Sequence, residues 1–293
     1  MVLYPDARRA VAEAEAAEPL WSEGYDIAAA RADALRLAAE EPREEVAEAR
    51  EIDADGVRCR LYRPLADPDA EGLVVHLHGG GFVLNDIEVH DAVCRRFANR
   101  AATPVLSVDY RRPPEHPFPA APDDVDTVLA WLDRQHDLAG PTYVHGDSAG
   151  GNLALVAALR HPGRFRAVVL IYPFLDPTAG FDSYRTAADG FDAREAAWYW
   201  HQYAATPADL EHPDLAPLRS DRLATLPPTL VVTAEHDPLR DEGEHLAATL
   251  ADLGVEVVAT RYLGQVHGFW RHRVFAASDA LIRQAAGFLA QHR

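Results

Sequence analysis

The stretch GDSAG at residues 146–150 constrains the fold of this chain more than any other feature. An apolar run beginning at Thr142 precedes it, and the amphipathic stretch Ala149–Leu159 follows. A serine at so sharp a strand-to-helix turn takes a strained backbone conformation, and side chains two positions away on either side would collide. Glycine at 146 and 150 removes that collision. The stretch therefore predicts a strand, a tight turn and a helix, with the Ser148 hydroxyl projecting from the turn.

The rest of the chain alternates short apolar runs with longer helical patterns. Such alternation predicts an α/β fold with a mostly parallel central sheet flanked by helices, in a single domain over residues 1–293. The predicted strands are Val57–Arg63, Leu73–His78, Val105–Asp109, Thr142–His145, Ala167–Tyr172, Thr229–Ala234 and Glu256–Tyr262. The predicted helices are Val89–Ala102, Pro122–His136, Ala149–Leu159, Leu239–Leu253 and Ala276–Gln291.

Two regions break this alternation. Residues 1–50 are rich in Ala, Glu and Arg, with helical period and no predicted strand, and residues 181–215 form a second helical insertion. Neither fits a β-α-β unit. Both are predicted to form a cap over the carboxyl edge of the sheet, where ligands bind in open α/β folds. The aromatic residues Phe82, Trp198 and Trp200 are expected to line an apolar pocket beneath it.

Charge excludes several classes of partner. The chain has 46 acidic and 28 basic residues, all of the latter arginine, for a net charge of −18. Nucleic acids and anionic membranes bind basic surfaces, so neither is expected as a partner. There is no apolar run long enough to span a bilayer and no secretory signal, which predicts a cytoplasmic protein. Cys59 and Cys94 are predicted to be reduced core thiols, and no spacing suggests a metal site or a cofactor.

A glycine-rich loop follows the second predicted strand, reading LHGGGFVLND from residue 77. Consecutive glycines allow the backbone to turn its N–H groups toward a ligand, and such groups stabilise the oxyanion of acyl transfer. We expect Gly80, Gly81 and Ala149 to donate these N–H groups. His78 is expected to hold the loop through a local hydrogen bond. The loop lacks the residues of a phosphate-binding P-loop.

The acid and base are predicted from chain order. In serine hydrolases with a strand–turn–helix nucleophile, the acid and then the histidine follow on loops after later strands. Asp237 follows the predicted strand Thr229–Ala234, and His267 follows the next strand. Glu235 and Asp241 remain alternative acids, and His272 remains an alternative base.

Together the motifs HGGGF, DYRRPPEHPFPAAPDD, GDSAGGN, EHDPLRDEG and VHGF, in this order, resemble the hormone-sensitive-lipase-like branch of the α/β-hydrolases, which includes the bacterial family IV esterases. The resemblance implies an α/β-hydrolase fold with a helical cap, a Ser148–His267–Asp237 triad, an oxyanion hole at Gly80, Gly81 and Ala149, and a homodimer as in many members. The sequence departs from the family's usual Tyr-Arg-Leu-Ala-Pro-Glu, reading YRRPPE from residue 110.

These features predict a carboxylesterase that acts on a small-molecule ester with a short to medium acyl chain. A deacetylase or amidase for a specific metabolite remains an alternative, because the same triad serves both reactions. A non-catalytic receptor on this fold is a further alternative, although such proteins typically lose the histidine that is present here as His267. Activity is expected to rise with pH through about 6–7 as this histidine becomes neutral.

Overall fold

The computed structural model describes residues 2–68 and 70–293. Its strands are β1 (Glu48–Ala54), β2 (Val57–Arg63), β3 (Leu73–Leu77), β4 (Val105–Val108), β5 (Thr142–Asp147), β6 (Val168–Ile171), β7 (Thr229–His236) and β8 (Val257–Val266). They form one sheet in the order β1-β2-β4-β3-β5-β6-β7-β8. Strands β3 to β8 run parallel, whereas β2 pairs antiparallel with both β1 and β4. The predicted mostly parallel sheet is confirmed.

Helices cover the sheet and form the two additional regions. They are α1 (Pro5–Ala16), α2 (Ile27–Glu40), α3 (Asp91–Ala101), α4 (Ala120–Leu132), α5 (Ala149–Arg160), α6 (Ser183–Thr186), α7 (Ala193–Tyr203), α8 (Arg240–Asp252) and α9 (Ala276–Gln291). The five helices predicted around the sheet are present, with ends displaced by a few residues at most. Short 3-10 turns connect α7 to β7.

The prediction that residues 1–50 contain no strand is wrong for residues 48–50, because β1 begins at Glu48. This strand lies at the sheet edge, and only Ile52 and Ala54 of it are buried. Its remaining residues are polar or exposed, so the apolar signal of a central strand is missing. The turn to β2 contains Asp55 and Gly56, both with positive φ, which is the turn chemistry of a two-residue hairpin.

Apolar side chains fill both faces of the sheet. Along β3, Leu73, Val75 and Leu77 belong to the cluster that packs on α4 and α5, while Val74 belongs to the cluster on the side of α3 and α9. Side chains of a strand point alternately to opposite faces, so a strand covered on both sides needs apolar residues at consecutive positions. Continuous apolar runs therefore predicted these central strands well.

The N-terminal helices contact the 181–215 insertion. Tyr25, in the connection between α1 and α2, packs edge-on against Trp198 of α7, with ring centroids 5.8 Å apart. A Cβ atom at Gly190 would lie 3.3 Å from the Cα of Val11 on α1. Glycine at this position thus allows the insertion to approach the backbone of α1 closely.

Cys59 and Cys94 are buried and unpaired, as predicted. In the described part of the chain, no helix is both long enough and apolar enough to cross a membrane.

Candidate active site

Ser148 lies between the last residue of β5 and the first residue of α5, with φ 55° and ψ −121°. This conformation is costly for a residue other than glycine, and it persists because the surrounding backbone enforces it. A Cβ atom at Gly146 would lie 2.0 Å from the carbonyl oxygen of Gly150, and one at Gly150 would lie 1.9 Å from that of Leu77. Both glycines are therefore required for the predicted turn.

His267 and Asp237 reach this serine from two neighbouring strands. Asp237 directly follows β7, and His267 directly follows β8. The distance from His267 Nε2 to Ser148 Oγ is 2.9 Å, and that from His267 Nδ1 to Asp237 Oδ2 is 2.8 Å. Asp237 is buried, and its other oxygen accepts a hydrogen bond from the N–H of Leu239 at 2.9 Å. In this network Nδ1 carries a proton and donates it in a hydrogen bond to Asp237. Nε2 then has no proton and can accept the one from Ser148.

The alternative acids and the alternative base are bound to other groups. Glu235 accepts a hydrogen bond from the N–H of Gly264 at 2.7 Å, and Asp241 accepts one from the N–H of Ser183 at 2.9 Å. His272 pairs with Glu41 at 2.6 Å. Each thus ties two distant segments of the chain together, and none of the three forms a hydrogen bond with Ser148 or His267 among the described residues.

The electrostatic setting of His267 favours its charged form. Burial alone would lower its pKa, but the Asp237 carboxylate outweighs burial and holds the pKa above the ordinary value of 6.5. An imidazolium formed when Ser148 loses its proton is stabilised by the same carboxylate. The pair can thus take a proton from the serine and hold it close to the reacting atoms.

The glycine loop presents unpaired backbone donors next to Ser148. Gly80 and Gly81 have φ of +119° and +58°, values that side chains rarely allow. Within the described residues, nothing accepts a hydrogen bond from the N–H groups of Gly80, Gly81 or Ala149. The N–H of Gly79 instead donates to Asp147 at 3.0 Å, which ties the loop to the end of β5. Unpaired donors beside a nucleophile can bind a developing oxyanion.

His78 has the structural position that was predicted for it. Its Nδ1 lies 3.0 Å from the carbonyl oxygen of Gly79, and its ring stacks on Tyr110 with centroids 4.1 Å apart. The hydroxyl of Tyr110 donates to the carbonyl of His78 at 2.6 Å. The residue holds the start of the loop and does not reach Ser148.

A cavity of about 300 Å³ opens over Ser148 and His267. The glycine loop and the end of β5 line it below. Asn85, α1, Phe174, residues 190–199 and the chain after β8 contribute the rest. Its aromatic lining consists of Phe174, Phe191, Tyr199 and Phe275. These aromatic rings share the wall of the cavity with polar and charged side chains, among them Asp147, Glu195 and Arg271.

The structure places Phe82, Trp198 and Trp200 elsewhere than expected. Phe82 is fully buried and stacks on Tyr203 with centroids 3.8 Å apart. Trp200 is buried in the same cluster, and Trp198 packs against Tyr25 on the outer side of α7. Successive residues of a helix point about 100° apart, so only one face of α7 meets the cavity, and Tyr199 lies on it. A run of aromatic residues does not reveal which face that is.

Glu195 is a cavity residue that the sequence analysis missed. It lies four residues before Tyr199 on α7, and the two side chains share one helix face. Burial raises the pKa of Glu195 to about 7, although His267 nearby acts in the opposite direction. The spacing of four residues between Glu195 and Tyr199 was the only signal in the sequence. The same spacing is equally typical of a helix face exposed to solvent.

Replacement of Glu195 by glutamine is expected to shift the pH profile of kcat/KM. The Glu195 carboxylate raises the pKa of His267, so its removal lowers that pKa and makes the base available at lower pH. The rising limb of the profile should therefore move to lower pH. It should also follow the titration of one group, His267, because in the wild type Glu195 titrates in the same range. Kinetics over the acidic to neutral range test this, with Glu13→Gln on the exposed side of α1 as the control. An unmoved limb would contradict the prediction.

Among the described residues, His76, His90 and Asp147 bring potential metal-binding atoms within 4.8 Å of one another. Their spacing in the sequence did not suggest this cluster. Its atoms already pair among themselves and with neighbours: His76 Nδ1 lies 2.9 Å from His145 Nδ1, and His76 Nε2 lies 3.2 Å from His90 Nδ1. Burial lowers the pKa of His76 to about 3, so its ring is neutral. The cluster forms a hydrogen-bonded support behind the turn at Ser148.

Comparison with known proteins identifies the family. Residues 74–271 match the family described as the alpha/beta hydrolase fold. A structure of the hyperthermophilic esterase from Pyrobaculum calidifontis is similar over 99% of this chain and 99% of that one, with 36% identity and a TM-score of 0.87. The chain belongs to the hormone-sensitive-lipase-like branch of the α/β-hydrolases.

Two curated α/β-hydrolases show how far the sequence similarity extends. The carboxylic ester hydrolase LipN of Mycobacterium tuberculosis is 40% identical over 233 residues, covering 74% of this chain but only 61% of LipN. The ethyl acetate hydrolase of Pseudomonas putida is 35% identical over 232 residues, covering 75% of this chain and 73% of that protein. The chain thus spans less than two thirds of the length of LipN.

The stretch YRRPPE, where the hormone-sensitive-lipase-like branch usually has Tyr-Arg-Leu-Ala-Pro-Glu, has a structural role in this chain. Arg111 pairs with Asp124 at the start of α4, with an N–O distance of 2.7 Å. Arg112 donates to the backbone carbonyls of Leu84 and Asn85, directly after the glycine loop. The substituted arginine therefore anchors the loop that carries the unpaired N–H groups.

Proposed function

We propose that this protein hydrolyses carboxylic esters with short to medium acyl chains through an acyl-enzyme formed on Ser148. Its membership of a branch with relatives named as esterases supports the assignment as a carboxylic ester hydrolase. One observation carries the finer proposal: His267 bridges Ser148 and Asp237 directly beside three unpaired backbone N–H groups.

In the first half of the reaction, Ser148 Oγ attacks the ester carbonyl while His267 Nε2 takes its proton. The carbonyl oxygen becomes negative and accepts hydrogen bonds from the N–H groups of Gly80, Gly81 and Ala149. His267 then donates its proton to the leaving alkoxide, the C–O bond breaks, and the acyl group remains on the serine. Asp237 orients the imidazole and stabilises its positive charge throughout.

In the second half, water replaces the alcohol. His267 removes a proton from the water as it attacks the acyl carbon, and the same N–H groups hold the second oxyanion. The proton returns to Ser148 when the tetrahedral intermediate collapses and releases the carboxylic acid. His267 carries every proton in the two halves of the reaction, and the backbone N–H groups stabilise the oxyanions.

We propose that residues before β1, together with residues 181–215, form a cap that sets the size of the substrate. Ala10 of α1 and Glu195 and Tyr199 of α7 line the cavity above Ser148. A volume of about 300 Å³ suits a small ester and leaves little room for a long acyl chain. The name of the relative from Pseudomonas putida, an ethyl acetate hydrolase, is consistent with a small substrate.

The proposal is tested with p-nitrophenyl esters of increasing acyl length. We expect the highest kcat/KM for chains of two to six carbons, and a value at least about tenfold lower for dodecanoate, because forcing extra methylenes into a filled cavity costs about 1–3 kcal/mol. p-Nitroacetanilide is included to test amide cleavage. Turnover equal to the enzyme-free rate at every chain length would refute the esterase, and anilide cleavage faster than ester cleavage would favour an amidase.

A further inference from the structure

Arg271 lines the cavity over Ser148, in the segment between β8 and α9 that also carries His267. Its guanidinium forms no hydrogen bond or ion pair with any residue that the structure describes. Its backbone, by contrast, is held firmly: the buried side chain of Arg96 donates to the carbonyl of Arg271 at 2.5 Å. A fixed backbone therefore presents an unpaired cationic side chain to the substrate cavity.

This lack of a partner is exceptional in the described part of the chain. Every other buried or half-buried arginine donates to a carboxylate or a carbonyl oxygen, as Arg60 does to Asp91 and Arg240 does to the carbonyl of Glu235. The chain has 46 acidic residues for 28 arginines, so partners are abundant. An arginine without a partner in a partly enclosed site indicates that a bound ligand, and not the protein, supplies the partner.

A charged side chain that is removed from water destabilises the folded protein unless a group of opposite charge or a hydrogen-bond acceptor pairs with it. Burial lowers the pKa of Arg271, but a guanidinium remains protonated at neutral pH, so the cost is not avoided by neutralisation. Asp147 and Glu41 attract this charge from a distance, yet Asp147 is bound to the N–H of Gly79 and Glu41 to His272. The acid Glu195, on α7, forms no ion pair with it either.

We propose that Arg271 binds a free carboxylate on the alcohol portion of the substrate. The proposal rests on the esterase function above. A guanidinium and a carboxylate form paired, charge-assisted hydrogen bonds that neither water nor a neutral ester group matches. The substrate class is thus the acyl ester of a hydroxycarboxylate, which is hydrolysed to a carboxylic acid and the free hydroxy acid.

The position of Arg271 favours the alcohol portion over the acyl portion. His267 delivers its proton to the leaving oxygen, so the alcohol departs along the side of the cavity formed by His267 and its neighbours in the chain. Arg271 lies four residues after His267, and Gly268 and His272 of the same segment also line the cavity. The carbonyl oxygen, by contrast, binds the N–H donors of Gly80, Gly81 and Ala149.

The first test compares esters that differ only in charge. Wild-type enzyme is given 4-acetoxybutanoate, its neutral counterpart 4-acetoxybutanamide, and monoethyl succinate, which carries its carboxylate on the acyl side. Acid release is followed by titration. We expect kcat/KM for 4-acetoxybutanoate to exceed the values for both others by at least about tenfold, the ratio that a charge-assisted hydrogen bond supplies.

The second test removes the charge. Arg271→Met keeps the length of the side chain, and should lower kcat/KM for 4-acetoxybutanoate at least about tenfold through KM, while 4-acetoxybutanamide changes little. Arg271→Lys should retain part of the preference because it keeps the charge. Arg273→Met, two residues along and exposed, is the matched control and should behave as wild type.

Three results would overturn the proposal. Equal loss of activity on the charged and the neutral ester would mean that Arg271 acts through Asp147 or the fold. Preference for monoethyl succinate would place the carboxylate on the acyl side. Lack of any preference between the charged and the neutral ester, with p-nitrophenyl acetate still hydrolysed, would refute the carboxylate site and leave the esterase intact. Failure of hydrolysis of every ester would instead refute the function on which the proposal rests.

Discussion

Replacement of Ser148 by alanine is expected to lower kcat for p-nitrophenyl acetate by about four to six orders of magnitude, the loss typical of a missing triad member. The hydroxyl that His267 contacts at 2.9 Å disappears, so no acyl-enzyme forms. The residual rate comes from binding and from the oxyanion donors alone. Stopped assays on purified protein measure the rate, and the thermal midpoint should remain close to wild type, because a single partly enclosed hydroxyl is removed.

Two further variants make this result specific. Ser148→Ala combined with His267→Ala should lose no more than Ser148→Ala alone, because triad members act as a unit. Ser107→Ala, a buried serine on β4 away from the cavity, should keep kcat within about twofold, as expected of a substitution outside the reacting unit. Measurable acyl transfer by Ser148→Ala at a rate close to wild type would show that another residue is the nucleophile.

Replacement of Gly150 by alanine is expected to destabilise the protein by about 3 kcal/mol or more, the upper range for overpacking in a rigid core. The new Cβ would lie 1.9 Å from the carbonyl oxygen of Leu77 and 2.7 Å from that of His78. Both contacts are backbone atoms of the central sheet and its glycine loop, so no side chain can move aside. If the variant folds, α5 must shift away from β3, which displaces Ser148 from His267 and abolishes activity.

Gly287→Ala is the matched control for this prediction. Gly287 lies within α9, and nothing approaches its added Cβ within 4 Å. Alanine there should stabilise the protein by about 0.5–1 kcal/mol through the helix propensity alone. Urea unfolding of the two variants beside wild type measures both effects. Unfolding of Gly150→Ala at the same urea concentration as wild type would contradict the proposed packing of the turn.

The limits of sequence-based prediction differ between parts of the fold. Strands β3 to β7 were predicted because they are buried on both faces and are rich in apolar residues. β1 was missed because an edge strand carries charged residues on its exposed face and resembles the helical stretch before it. The residue order also predicted that Asp237 and His267 would meet Ser148, since loops at the carboxyl ends of parallel strands share one edge of the sheet.

What the sequence by itself determined is the turn at Ser148 and the set of residues gathered around it. That turn depends on the two glycines within a few residues of the serine, and the order of the parallel strands then dictates which loops lie next to it. What only the tertiary structure decided is the lining of the cavity: that Tyr199 faces Ser148 while Trp198 and Trp200 do not, and that Arg271 has no partner. These depend on how α7 is rotated and on which distant segments pack together, and no local pattern encodes either.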